Sequence, residues 1–123
     1  MRVFISQPMT GLNEKDILAT RESATKDIEE YFKDSDEDVT ILPSYFHDQI
    51  RNSVEEEARR DEGTVNWDIF WLSQSLSHLA FADVVWVCKG WRNSIGCGFE
   101  HDIAEEYGIP IIYPYEGEDK NGK

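Results

Sequence analysis

The run Ser94-Ile95-Gly96-Cys97-Gly98-Phe99-Glu100 holds the residues of this chain best suited to chemistry. Two glycines and a serine stand between an apolar strand pattern and a helical one, and Glu100 falls in the first turn of the expected helix. Backbone N–H groups at such a junction, with the Ser94 hydroxyl, can hold an anion. The same helix end favours the ionised form of Glu100, so a carboxylate nucleophile would stand beside a bound phosphate or sugar. Each residue also has a plainer reading. Acidic residues are common in first turns, a serine there is a frequent cap, and glycines serve tight backbone geometry.

These residues need elements to position them. Residues 1–6 (MRVFIS) read as a buried first strand ended by Gln7-Pro8, and 7–11 as a loop. Asn13 can cap a helix, with Asp16 as a box-like partner three residues on. Ile17, Ala24, Ile28, Tyr31 and Phe32 then recur at helical spacing. Residues 39–42 read as a second strand ended by Pro43, and 44–61 as a polar loop with a helical piece, broken at Glu62-Gly63. A helix over 68–80 would bury a stripe of Ile69, Leu72, Leu76 and Leu79. Residues 82–88 (ADVVWVC) form the clearest strand pattern, and 89–94 a loop. A helix over 98–107, stopped by Gly108 with Pro110 beyond it, leads to a last strand over 109–113.

Strands that alternate with helices imply βαβ units around a parallel sheet. The expectation is one α/β domain over 1–115, with a charged tail over 116–123 that frays. Its form would be a three-layer α/β/α sandwich around a mostly parallel, four- or five-stranded sheet of the flavodoxin/Rossmann-like kind, with strand one central. Ligands of such sheets bind beyond the carboxyl ends of the strands, at the switch point. The loops over 6–11, 43–47 and 89–98 lie there, and the glycine run and Glu100 with them.

Composition narrows the partners. The chain has 123 residues, enough for one domain with a real core. Its 25 acidic and 12 basic residues give a net charge of −13. A field of that sign repels nucleic acid polymers and anionic membranes, but a local nest of N–H groups can still take a small phosphorylated ligand. Cys88 and Cys97 fit no metal pattern, and no histidine spacing supports a metal site, so neither metal nor cofactor is expected. A reduced cysteine pair in the cytoplasm is the favoured reading, with a disulfide as the alternative. No signal peptide stands out, and the apolar runs fall far short of the roughly 18 residues needed to span a membrane.

Several other residues have two readings. Asp83 before a strand can be a plain solvated charge. Trp91 can be a lid, a base-stacking surface or an exposed residue at an oligomer contact. Trp67, Phe70 and Trp71 suit a core or an interface between copies. His47 sits at the expected ligand edge with surface as its default, and Glu55–Glu57 suits a solvated helix face.

The blocks Phe4-Ile5-Ser6-Gln7-Pro8-Met9-Thr10-Gly11, Ala82-Asp83, Gly90-Trp91, Ser94-x-Gly96-x-Gly98-x-Glu100, Ala104 and Gly108-Ile109-Pro110 span most of the chain. Together they resemble the nucleoside 2-deoxyribosyltransferase superfamily, in its small bacterial and phage branch, similar to the 2'-deoxynucleoside 5'-phosphate N-hydrolases. The resemblance implies that Glu100 attacks the anomeric carbon of a (deoxy)ribose. It implies that Ser94, Gly96 and Gly98 contact the 5'-phosphate, and that Ser6, Pro8, Met9, Gly11 and Trp91 contribute to substrate binding. The ligand would be a small nucleoside or nucleotide, and the protein a homodimer or higher homo-oligomer. The chain departs from the family pattern at two places. The family usually has an aspartate eight residues before the position of Asp83, where this chain has Ser75; Asp68 and His78 lie along the same helix. Glu100 is followed by His101-Asp102, where the larger transferases carry a small Gly motif. The expected function is N-glycosidic bond transfer or hydrolysis through a covalent glycosyl-enzyme. A nucleotide-binding protein without turnover is the alternative, and a purely structural protein a third reading.

Overall fold

The computed structural model describes residues 1–9, 12–43 and 66–116. Strands β1 (Arg2–Ser6), β2 (Thr40–Leu42), β3 (Val84–Val87) and β4 (Ile111–Ile112) form one sheet in the order β2-β1-β3-β4. Every pairing is parallel; Val3 lies opposite Ile41 on one side and Val84 on the other, and Val85 lies opposite Ile111. Helix α1 (Glu14–Tyr31) links β1 to β2, α2 (Trp67–Leu79) leads into β3, and α3 (Ile95–Glu106) links β3 to β4. The fold is α/β, with β1 inside the sheet as the sequence pattern implies.

The pleat assigns the two faces. Successive strand residues point to opposite sides, so Val3 and Ile5 of β1 join Val84 and Trp86 of β3 in a core closed by Ala24 and Ile28 of α1. Phe4, Val85 and Val87 face the other way, into a core with Leu79 of α2 and Cys97 and Ala104 of α3. Helices thus cover both faces, which makes three layers. Ser6 follows Phe4 by two and falls on the α2–α3 side.

Each helix begins on a side-chain cap. The Asp16 N–H donates to Asn13 Oδ1 at 2.8 Å, the Ile69 N–H to Asn66 Oδ1 at 3.1 Å, and the Cys97 N–H to Ser94 Oγ at 3.3 Å. These caps explain two departures from the sequence expectation. The Asn66 cap starts α2 at Trp67, and the helix buries Ser75 and Leu79 with Leu72 and Leu76 half-buried. Ile69, expected in that stripe, lies in the first turn and is 64% exposed. Likewise the Ser94 cap starts α3 at Ile95, three residues before the expected start. Gly96 and Gly98 are therefore helical, and Glu100 stands in the second turn.

At the opposite edge of the sheet Asp83 has a structural task. Its Oδ2 accepts the Arg2 N–H at 2.7 Å while its own N–H donates to the Arg2 carbonyl at 2.8 Å, which ties the starts of β1 and β3. Those bonds, the backbone one first, hold its carboxyl below the usual range. Glu116, expected to open a frayed tail, is half-buried and paired with Arg92. The readings for Thr10, Gly11, His47, Glu55–Glu57 and Glu62-Gly63, for the polar segment over 44–61, and for the tail over 117–123 lie outside the described residues.

Gly108 ends α3 as expected. It takes φ +76°, its N–H donates to the Glu105 carbonyl at 3.2 Å, and the Ile109 N–H returns to the Ala104 carbonyl at 2.8 Å. These two bonds are the Schellman pattern, which uses a left-handed residue to satisfy the last carbonyls. A Cβ at Gly108 would meet nothing within 4 Å, so the cost of adding one is purely conformational. Gly108→Ala should lower stability by about 1–2 kcal/mol in urea unfolding, and Gly108→Asn by less.

Candidate functional site

β1 and β3 are neighbours, and their connections leave to opposite faces of the sheet. The crevice beyond their carboxyl ends is the place where such a sheet binds ligands. Ser6 is the last residue of β1, fully buried, and turned towards α3 by the pleat. Its hydroxyl donates to Glu100 Oε1 at 2.6 Å, a short charge-assisted contact. Ser75, buried on the inward face of α2, hydrogen-bonds the same carboxyl. Cys97 lies one turn before Glu100 on the same buried side of α3, its backbone N–H donating to Ser94 Oγ at 3.3 Å. A strand end and two helices thus converge on one carboxyl group.

Glu100 is only 8% exposed. Burial pushes its carboxyl up to about 7, against the pull of the Ser6 and Ser75 hydrogen bonds. This reverses the expectation that the helix end keeps Glu100 ionised. Charge stabilisation at an amino terminus amounts to about 0.3–1 kcal/mol and fades beyond the first turn. Desolvation of a nearly buried carboxylate is several times larger. Near neutrality the group is therefore poised between its acid and its base. Cys97 is likewise pushed up by burial, to about 11, so its thiol keeps its proton and is not a nucleophile. Cys97 and Cys88 form no disulfide and belong to cores on opposite faces of the sheet.

The other expected site residues divide. Pro8 approaches Gly90, whose φ is +84°; a Cβ built there would stand 3.8 Å from Pro8 Cγ, so the loops after β1 and β3 touch. The Met9 carbonyl accepts the Leu12 N–H at 3.1 Å. Gln7, buried beside them, anchors the loop to α1 by donating to the Ile17 carbonyl at 3.1 Å. Ser94 caps α3 with its hydroxyl, and its carbonyl accepts the Gly98 N–H at 2.9 Å. That bond removes Gly98 as an anion donor. The N–H groups of Ile95 and Gly96, in the first helical positions, have no intrahelical acceptor. Cβ atoms at Gly96 and Gly98 would meet nothing within 4 Å.

Trp91 is corrected by the structure. It is not an exposed loop residue but 7% exposed, in a 3-10 turn over Trp91–Asn93. His101 stacks on it at 4.3 Å and Arg92 lies over the ring at 4.6 Å, so its faces are occupied by protein. His101 in turn meets the Tyr113 hydroxyl at 2.6 Å. A cleft of about 290 Å³ opens between Trp91, Arg92, His101, Tyr113 and Glu116. A larger one, about 520 Å³, lies at the end of β3 on the α1 side, between Thr20, Ser23, Lys89 and Tyr115. Neither is lined by Glu100. Among the described residues no group of His, Cys, Asp or Glu is arranged to hold a metal, and no helix is long and apolar enough to cross a membrane.

No family model, curated protein or solved structure matches this chain.

Two members of the cluster were not singled out from sequence as site residues. Ser75 stands where the resembled family has an aspartate. Its signal is a small polar side chain on the inward face of an otherwise apolar helix, one turn from Leu72 and Leu79. Cys97 had the signal of lying three residues from both Ser94 and Glu100, hence on their face of a helix.

The raised carboxyl has a consequence for stability. Between the ordinary carboxyl value and about 7 the unfolded chain releases the Glu100 proton while the folded chain keeps it. Stability from this group therefore falls as pH rises through that window and is flat above it. Glu100→Gln removes the titration. Its melting temperature should match that of the unmodified protein at pH 4 and exceed it at pH 8, with a gain of up to about 3 kcal/mol for a shift from 4.5 to about 7.

Proposed function

We propose that this protein cleaves or exchanges the N-glycosidic bond of a (deoxy)nucleoside or its 5'-monophosphate, with Glu100 as the nucleophile. The observation that carries this reading is the buried Glu100 carboxyl, held by the Ser6 and Ser75 hydroxyls at the carboxyl ends of adjacent parallel strands. Structural glutamates seldom sit in such a place, and a carboxyl perturbed by burial beside a sheet crevice is a recurrent property of catalytic groups. In the reaction a Glu100 oxygen bonds to C1' as the C1'–N bond breaks through an oxocarbenium-like state. The base leaves with the bonding pair and takes a proton from solvent. Water, or a second base, then attacks C1' and gives up its proton to solvent, the ester bond breaks, and the carboxylate returns. Ser6 and Ser75 hold the carboxylate for attack.

The glycines support a phosphate on the ligand. Gly96 and Gly98 each cost a helix roughly 1 kcal/mol relative to alanine. No steric contact among the described residues requires either one. Their bareness leaves the amino end of α3 open, with the Ile95 and Gly96 N–H groups directed there for an anion. Gly98→Ala should therefore stabilise the protein by about 1 kcal/mol. It should also weaken a deoxynucleoside monophosphate more than the matching nucleoside in calorimetric titration; equal loss for both ligands would count against the phosphate contact.

A second copy of the chain is the proposed partner. Ile69 on α2 and Ile95 and Phe99 on α3 are exposed, Ile95 by 82%, on the two helices that flank the site. The proposed ligands exclude nucleic acid polymers and membranes on grounds of charge, and the cytoplasm is the proposed location.

Binding without turnover is the competing reading, favoured by Ser75 where the resembled family carries an aspartate. Chromatography of free base released from a panel of nucleosides and monophosphates separates the two. Turnover should rise with pH to a plateau, half-maximal near 7, because the ionised carboxylate attacks. Glu100→Gln should bind the same ligands and release no base. Release by Glu100→Gln at an undiminished rate would sink the assignment, and ligand binding without release by the unmodified protein would establish the competing reading.

A further inference from the structure

The cleft of about 290 Å³ is walled by Trp91 and Arg92 of the turn after β3, His101 of α3, and Tyr113 and Glu116 of the segment after β4. Ligand sites run from about 300 to 1,000 Å³, so this one suits a single small ring system. Its walls define the chemistry of that ring. Arg92 and Glu116 form an ion pair, so their charges cancel and the ligand they suit is uncharged. Indole, imidazole and phenol rings supply the other walls, which favours a flat molecule. The His101 ring and the Tyr113 hydroxyl are already bonded to each other at 2.6 Å. Two other buried atoms of the walls are not. Among the described residues Trp91 Nε1, a donor, and Glu116 Oε2, an acceptor, have no hydrogen-bond partner.

Such orphans are rare in folded proteins, because a buried polar group has given up its water without return. Trp91 cannot turn to find an acceptor. His101 stacks on its ring at 4.3 Å and Arg92 lies over it at 4.6 Å, so the packing that occupies its faces also fixes the direction of its N–H. Glu116 can move, because its side chain and that of Arg92 are 38% and 39% exposed. An ion pair that open to solvent contributes little, so parting it costs less than the two unpaired groups do. A ligand that parts the pair and bonds both orphans gains, since their loss of water is already suffered in the chain alone.

We propose that this cleft binds a small, flat, uncharged cyclic amide, whose ring carbonyl accepts the Trp91 N–H and whose adjacent N–H donates to Glu116. A carbonyl beside an N–H on one edge of a ring is the pattern that a donor and an acceptor in one cleft select. The site is separate from Glu100, which faces Ser6 and does not line the cleft, so the inference does not rest on the reading of that residue.

The experiment is a 1H–15N NMR titration of the full chain with 2-pyridone, following the Trp91 indole N–H, assigned through its bonds to the backbone. The Trp91 proton should move downfield and saturate, while the indole signal of Trp86, in the core on the other face of the sheet, stays in place. N-methyl-2-pyridone keeps the carbonyl and lacks the N–H; it should bind about tenfold more weakly, the effect of losing a hydrogen bond to a charged group. Glu116→Ala should weaken 2-pyridone by a similar factor and remove its advantage over the methylated ring, since both changes delete one contact. Glu100→Gln should leave the titration unchanged. An unmoved Trp91 signal up to the solubility limit of 2-pyridone would overturn the proposal, as would equal affinity for the two pyridones in the unmodified protein. Tighter binding of benzoate would show an anion site instead, and loss of binding in Glu100→Gln would show that the ring sits elsewhere.

Discussion

The hydrogen bond from Ser6 to Glu100 is the contact on which the arrangement of this molecule turns. A carboxyl group cannot be taken out of water without partners, because an unpaired buried charge costs more than a small domain can bear. Glu100 is brought to the end of a strand 94 residues earlier in the chain and meets a hydroxyl there at 2.6 Å. For that to happen β1 must lie inside the sheet, its pleat must turn Ser6 towards α3, and α3 must start early enough to place Glu100 in its second turn. Each condition is met by a separate local device: pairing of β1 on both sides, the alternation of Phe4 with Ile5, and the Ser94 cap.

The same contact determines what the site can do. Two neutral hydroxyls stabilise the carboxylate less than a cation would, and burial opposes them. The balance falls close to neutrality rather than in the ordinary carboxyl range. A group so poised can exist as base or acid at the working pH, a property that exposed glutamates lack. It stands at the β1–β3 edge, where crossovers diverge to opposite faces and where sheets of this kind bind their ligands.

The two edges of the sheet are built for different ends. At the amino edge Asp83 and Arg2 exchange backbone and side-chain bonds that lock the starts of β1 and β3 together. At the carboxyl edge Ser6, Ser94 and the buried Glu100 stand with Gln7 and Lys89, and the helical glycines leave open space. Of the two exposed-looking candidates for recognition, Trp91 belongs to the packing and the helical glycines to the open surface. Trp91 is stacked on His101 and covered by Arg92, whereas Gly96 and Gly98 face open space.

Sequence alone determined the features that depend on near neighbours. The alternation of strand and helix patterns, the Asn13 cap, the stop at Gly108 and the inner place of β1 were all legible, because periodicity and capping act over a few residues. The strand-to-helix junction over the serine–glycine–glutamate run was also legible, though not the point at which its helix begins. Tertiary structure decided the rest. The glycines argued for a late start of α3, but packing of Cys97, Glu100 and Ala104 against the sheet outweighs their poor helix propensity, and the Ser94 cap prevails. The protonation of Glu100 depended on burial by strands and helices far away in the chain. Ser75 became a partner of that carboxyl only when α2 was laid beside α3. Trp91 looked like a loop residue until His101 and Arg92 closed over it. Desolvation and packing are sums over neighbours that come together only when the chain folds, and no spacing within one segment records them.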